Sequence, residues 1–164
     1  MSENTLFTKL FSLSQKAISR MDDVELVLRF FSYISAIHLS ISGSTKNILD
    51  SYAEKSIGFS EEDCDDLQSI FEKTLNTAHK IFGDTVFQST KTGKSEKMIF
   101  DTTMIFSYFY NSEILDKYHD ITTPVLENEK FQIIENNKKE IFNGKLTAIK
   151  VVSERVSVFR NSFL

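Results

Sequence analysis

Tryptophan is absent from this chain of 164 residues, and there is one cysteine, one proline and only five glycines. Each scarcity excludes something. Cys64 alone cannot close an intramolecular disulfide, so a disulfide scaffold is ruled out. With no basic start or apolar run in Met1–Leu13, the thiol reads as reduced and the chain as cytoplasmic. So little Gly and Pro argues against a turn-rich all-β protein and against a disordered linker. The longest apolar stretch, Val24 to Ile41, is broken by Glu25, Arg29 and His38, so it is a core helix and not a bilayer span.

What is abundant is phenylalanine, with fifteen residues. A chain of this length buries roughly 70% of its unfolded surface, enough for a core without a metal. The expectation is a single domain over residues 1–164, an all-α compact bundle of about six to eight helices around a Phe-rich core.

The net charge of −4 is unevenly spread. Residues 1–137 carry thirteen basic and twenty-one acidic side chains, whereas residues 138–164 carry six basic and two acidic. Glu54 to Glu72 holds seven carboxylates against Lys55. Overall acidity disfavours sequence-independent DNA binding by the whole chain. The basic tail is expected to pair with this acidic stretch of the same molecule.

Apolar spacing is helical nearly throughout. Leu6, Phe7, Leu10, Phe11, Leu13 and Ala17 outline a helix over Asn4–Ala17. Asp22, with Glu25 three residues on, resembles a capping box opening a central helix to about Leu39. Ser42-Gly43-Ser44 breaks the chain before a short helix over Thr45–Lys55. Ser60 with Asp63 starts a long helix through Leu67, Phe71, Leu75, Ala78 and Phe82, which Gly83 ends. Ser95 is expected to cap a helix reaching Phe109, and a short helical turn follows to Tyr118. Pro124 suits a first helical position. Asn143-Gly144 precedes a terminal helix, Leu146 to Phe163, whose charged face would hold Lys150, Arg155 and Arg160.

Chemistry-bearing patterns are sparse. Thr92-Gly93-Lys94-Ser95 is half of a phosphate-binding loop, but Gln88 replaces the required glycine and no strand leads in. Asp116, His119 and Asp120 share a helical face without the further ligands that zinc needs. His38 and His79 read as packing or surface residues, and Cys64 as a core thiol. Eight residues separate Arg29 from His38, too many for the Arg/His ribonuclease motif of small helical HEPN domains. No catalytic residue, metal ligand or cofactor-binding residue is assigned. Arg29 is the odd residue, a guanidinium inside an apolar helix. It calls for a structural ion pair, with Glu25 one turn earlier or with Asp50 or Glu54 across helices.

The run Ser19-Arg20-Met21-Asp22-Asp23-Val24-Glu25-Leu26-Val27-Leu28-Arg29-Phe30-Phe31 resembles a stretch of a bacterial family of unassigned function. That family includes the GmrS half of the GmrSD modification-dependent restriction endonucleases. Ile48-Leu49-Asp50-Ser51-Tyr52, Phe71-Glu72 through Ile81-Phe82-Gly83, Lys97 to Asp101 and Val151 to Arg155 look similar as well. The resemblance spans most of the chain. Family members carry a ParB/sulfiredoxin-like catalytic half with an Asp-Gly-Gln-Gln-Arg-type motif, and no such motif occurs here. The resemblance therefore implies the helical second half alone, starting from its own Met1. It further implies a restriction or phage-defence setting. It implies a non-enzymatic scaffold that binds a protein partner, either the catalytic half or a second copy. The alternative is a nucleic-acid-binding module using Lys145, Lys150, Arg155 and Arg160 of the basic terminal segment.

Overall fold

The computed structural model describes residue 1 and residues 4–11, 19–89, 93–120, 124–143 and 148–164. Among them every regular element is helical. The order is α1 (Thr5–Leu10), α2 (Asp22–His38), α3 (Thr45–Ser56), α4 (Glu61–Phe82), α5 (Lys97–Phe109), α6 (Asn111–Lys117), α7 (Glu127–Asn136) and α8 (Ile149–Phe163). A 3-10 turn, Gly83–Thr85, follows α4. The fold is all-α with a Phe-rich core. Leu13 and Ala17 of the expected first helix lie outside the described residues, as do Thr92, Gly144, Lys145 and Leu146.

The long helix begins as its sequence dictates. Ser60 Oγ accepts from the Asp63 backbone N–H at 3.1 Å, and Asp63 Oδ2 accepts from the Ser60 N–H at 2.8 Å. This reciprocal capping box satisfies two orphan donors of the first turn. The Ser60 hydroxyl also donates to Asp63 Oδ2 at 2.7 Å, and that bond together with the Ser60 N–H holds the Asp63 carboxyl below the usual range.

Three other expected starts differ. Asp22 is already the first helical residue, and exposed Met21, in the left-handed region at φ 58°, occupies the cap without a side-chain bond. Glu25 closes no box because its carboxylate is taken by Lys97 and Arg29. Ser95 does not cap α5; its Oγ donates to Leu10 O at 3.4 Å and Glu96 stands at the cap. Pro124 precedes α7 instead of opening it, because its ring packs on Gly83.

The C-terminus of α2 is a Schellman motif. Ile41 N–H donates to Ala36 O at 2.8 Å, and Ser40 N–H to Ile37 O at 3.2 Å. Ser40 holds the left-handed position at φ 52°, three residues before the glycine that sequence marks as the break.

The centre of the bundle is α5, not α2. Ile99 to Ser107 are buried without interruption, and α5 packs against α2, α4, α6 and α8. Its polar residues tolerate this partly because hydroxyls bond carbonyls, as Thr102 Oγ1 does to Met98 O at 2.9 Å. Helix α2 is buried at Leu26 and from Arg29 to Ile34, but its first turn is open, with Val24 47% exposed, and its last residue His38 is exposed again. Two aromatic clusters flank α5. Phe7, Phe11, Phe71, Phe87 and Phe100 form one, with Phe87–Phe100 centroids 5.0 Å apart. Phe82, Phe106, Phe142, Phe159 and Phe163 form the other, with Phe159–Phe163 at 5.2 Å. Edge-to-face and tilted pairs of this kind add about 0.5–1.5 kcal/mol each beyond area burial.

Candidate functional site

Two cavities flank the α2–α3 hairpin, and one of them reaches the first turns of α4. From α2, Val24, Val27, Leu28 and Phe31 line that one, and Ser32, Ser35, Ala36 and Leu39 line the other. The two cavities, about 360 Å³ and 140 Å³, share Tyr52 of α3. That ring stacks on Phe31 at 6.5 Å, and Phe59 meets it edge-on at 6.1 Å. Cys64 and Leu67 of α4 close the larger of the two cavities. Cys64 is exposed rather than buried in the core, because the first turn of α4 projects past the body that covers Phe71 and Leu75.

Exposed apolar surface gathers on this side. Of the large hydrophobic residues exposed among those described, Met21, Val24, Leu39, Ile41 and Ile57 all belong to α2, α3 and their ends. Val125 is the exception. The antiparallel course of the hairpin puts Met21, Val24 and Ile57 toward one end and Leu39 with Ile41 at the other.

The first turns of α4 are acidic, although no carboxylate lines the cavity beside them. Glu61, Glu62, Asp65 and Asp66 are exposed and, among the described residues, form no ion pair. The expected pairing with the basic tail does not form through α8. Helix α8 meets α4 at Phe82, the far end of a helix about 33 Å long.

Between α2 and α5 lies a buried charge cluster. Arg29 Nε donates to Asp101 Oδ1 at 3.0 Å, and a second Arg29 nitrogen donates to Asp101 Oδ2. Asp101 is the principal partner, on α5; Glu25 stands further off at 3.7 Å and is half-exposed, and neither Asp50 nor Glu54 is its partner in the fold. Burial works against the Arg29 charge, but the Asp101 bonds outweigh it and hold the guanidinium proton above its usual range. Burial pushes the Asp101 carboxyl up, and Arg29 opposes that push. The Arg29 guanidinium also lies 5.2 Å from the Tyr33 ring. At the edge, Lys97 Nζ reaches Glu25 at 2.8 Å and Asp22 at 3.7 Å, extending the network to solvent. Asp101 carries a signal in the sequence, since it is a lone charge in Met98-Ile99-Phe100-Asp101, the same anomaly that marks Arg29.

The candidate nucleic-acid face is thinner than expected. Lys150 and Arg160 are exposed, and Lys145 lies outside the described residues. Arg155 is 1% exposed. Its position follows from spacing: three residues after Val152 and four before Phe159, it falls on the core face. Its Nε donates to Ile141 O at 2.7 Å and a terminal nitrogen to Asn143 O at 3.4 Å, clasping the segment before α8. Between Lys150 and Arg160 the open face carries Glu154, so little net charge remains there.

The other motifs do not assemble. Gly93 N–H donates to Ser89 O at 3.1 Å and Ser89 N–H to Lys94 O at 2.9 Å, so this half-loop spends amides on itself instead of cradling phosphate. His119 pairs with Asp120 at 2.9 Å and with the Asp116 carbonyl at 3.0 Å. Among the described residues no cluster of three His, Cys, Asp or Glu is placed to hold a metal. His79 Nε2 lies 2.8 Å from Asp84 Oδ1, which Lys9 also holds at 3.0 Å, beside a cleft lined by Thr85, Pro124 and Glu127. The Thr85 hydroxyl already donates to Glu127 at 2.8 Å, so it is not presented to that histidine as a nucleophile. Among the described residues no helix is long and apolar enough to cross a membrane.

No protein-family model, no curated protein and no solved structure matches this chain.

Proposed function

We propose that this chain is a non-enzymatic helical module that docks a protein partner through the exposed apolar surface of the α2–α3 hairpin. In the setting the sequence resemblance implies, that partner is the catalytic half of a bacterial restriction or phage-defence system in the cytoplasm. The observation that carries the reading is the gathering of exposed Met21, Val24, Leu39, Ile41 and Ile57 on that hairpin and its ends, where Val24, Leu39 and Ile41 line its cavities. Exposed apolar residues scattered singly need no explanation, whereas a cluster beside a concave apolar surface marks an interaction site. The nucleic-acid alternative is weakened by the burial of Arg155 and by Glu154 on the same open face.

The test is affinity capture of the tagged chain from its host, with and without nuclease treatment of the lysate, read by mass spectrometry. The expected result is a separate catalytic chain that survives nuclease. Recovery of nucleic acid alone, lost as salt rises, would overturn the reading.

A further inference from the structure

We infer that the smaller cavity of the α2–α3 hairpin is a binding site for a small organic monocarboxylate with a compact apolar body. Its occupation needs no protein partner, and it adds a ligand to the docking function proposed above. Ser32 is the first sign. It lines this cavity, is 1% exposed, and its hydroxyl has no hydrogen-bond partner among the described residues. A hydroxyl in mid-helix ordinarily bonds the carbonyl one turn back, as those of Thr74, Thr102 and Ser153 do here. A buried hydroxyl left orphaned is costly and calls for a partner from elsewhere. The other orphan hydroxyl among the described residues, on Ser107, lines neither hairpin cavity.

The rest of the wall says what that partner is. Ser35 and Ser51 bring hydroxyls and Lys55 an ammonium, and none of the three groups has a side-chain hydrogen bond or ion pair among the described residues. No Asp or Glu lines the cavity. Hydroxyls, one cation and no carboxylate match an anionic oxygen acceptor. Helix α3 runs back along α2 and Tyr52 stacks on Phe31, so Ser51 and Lys55 fall at the Ser32 end, with Ile48 toward Leu39 and Ile41. Exposed Ser42 and Asn47 border that far rim. The carboxylate therefore belongs at Ser32, Ser51 and Lys55, and the apolar body on Ala36 and Ile48. The cavity is about 140 Å³, and an apolar cavity of about 150 Å³ accepts benzene, so a single ring fills it.

The experiment titrates the full chain with three probes, read by ligand-observed NMR. They are benzoate, benzyl alcohol, which has the ring without the charge, and acetate, which has the charge without the ring. Benzoate is expected to bind at least about tenfold more tightly than either of the others. Lys55→Gln should bring benzoate down to the level of benzyl alcohol and leave benzyl alcohol unchanged. Ser32→Ala should weaken benzoate by roughly three- to tenfold. Ser35→Leu should fill the cavity and abolish binding of both ring compounds. Lys55 is exposed and Ser35 half-buried, so both variants should keep the wild-type circular dichroism and melting curve. No binding of benzoate, equal binding of benzoate and benzyl alcohol, or benzoate binding that survives Ser35→Leu would overturn the inference. So would a Ser32→Ala protein that melts higher and binds benzoate as before, the result expected if water alone satisfies that hydroxyl.

Discussion

Replacing Arg29 by Leu strands a carboxylate. Asp101 is 1% exposed, and Arg29 supplies both of the hydrogen bonds that tie it to α2. Removing one partner of a buried pair costs about 3–5 kcal/mol, because the remaining charge stays desolvated. For a chain of this size each kcal/mol lowers Tm by about 2–4 °C, so a fall of roughly 6–20 °C is expected. The variant should also acquire a distinctive pH dependence. Burial raises the Asp101 carboxyl above its unfolded value even with Arg29 present, and Arg29→Leu removes the opposing influence. A carboxyl raised on folding contributes stability that is present below its unfolded pKa and lost as pH rises through the folded one. Arg29→Leu should therefore lose least at acid pH and most at neutral pH, relative to the parent. Asp101→Leu should cost as much, since it leaves the Arg29 guanidinium buried with only half-exposed Glu25 nearby. The double variant Arg29→Leu/Asp101→Leu should recover most of the loss, because apolar replacement of a whole buried pair is near neutral. Urea unfolding of all four proteins gives the coupling energy directly. Strictly additive losses, or a single variant that melts with the parent, would refute the claim that this pair docks α2 on α5.

Three further outcomes are expected. Ser40→Gly should stabilise the protein by about 1 kcal/mol in urea unfolding, because it relieves a left-handed residue in the Schellman position; a lower midpoint would count against that geometry. Gly83→Ala should destabilise by about 1–3 kcal/mol, since φ is 68° and the new Cβ would lie 2.8 Å from Pro124 Cγ; an unchanged Tm would show that this contact does not constrain α7. Lys130 is fully buried, with its ammonium bonded to Thr85 O at 2.5 Å and set 4.5 Å from the Phe131 ring. Burial lowers it to about 7, with Glu127 pulling the other way. A lysine lowered on folding binds fewer protons folded than unfolded, so stability should rise by about 2 kcal/mol from pH 7 to 9. Lys130→Met should flatten that rise in urea titrations at each pH, and an identical slope would refute it.

Much of the helical order is legible in the amino-acid sequence, for local reasons. The Ser60–Asp63 box, the Gly83 stop and the three-and-four spacing of α4 and α8 are properties of neighbouring residues. Where sequence and fold part company, a distant partner has outbid the local signal. Asp22 and Glu25 look like a cap but are drawn to Arg20, Lys97 and Arg29. Ser95 looks like a cap but bonds Leu10 O. Arg155 suggests a solvated face because it is charged, while its spacing from Val152 and Phe159 puts it in the core. Cys64 misleads the other way: it is in step with the stripe of α4, but it stands exposed at the rim of a cavity.

The sequence by itself determined the class of fold, because apolar periodicity and the scarcity of glycine and proline leave helices as the way to bury so many phenylalanines. It also marked Arg29 as a charge in need of a buried partner. Only the tertiary structure decided that the partner is Asp101, that α5 and not α2 lies at the centre, and that apolar side chains of α2 and α3 stand open beside an acidic helix start. Those are facts of which faces meet. A helix face carries its own pattern but not the identity of what packs on it, and an open apolar face is the part of that pattern left uncovered.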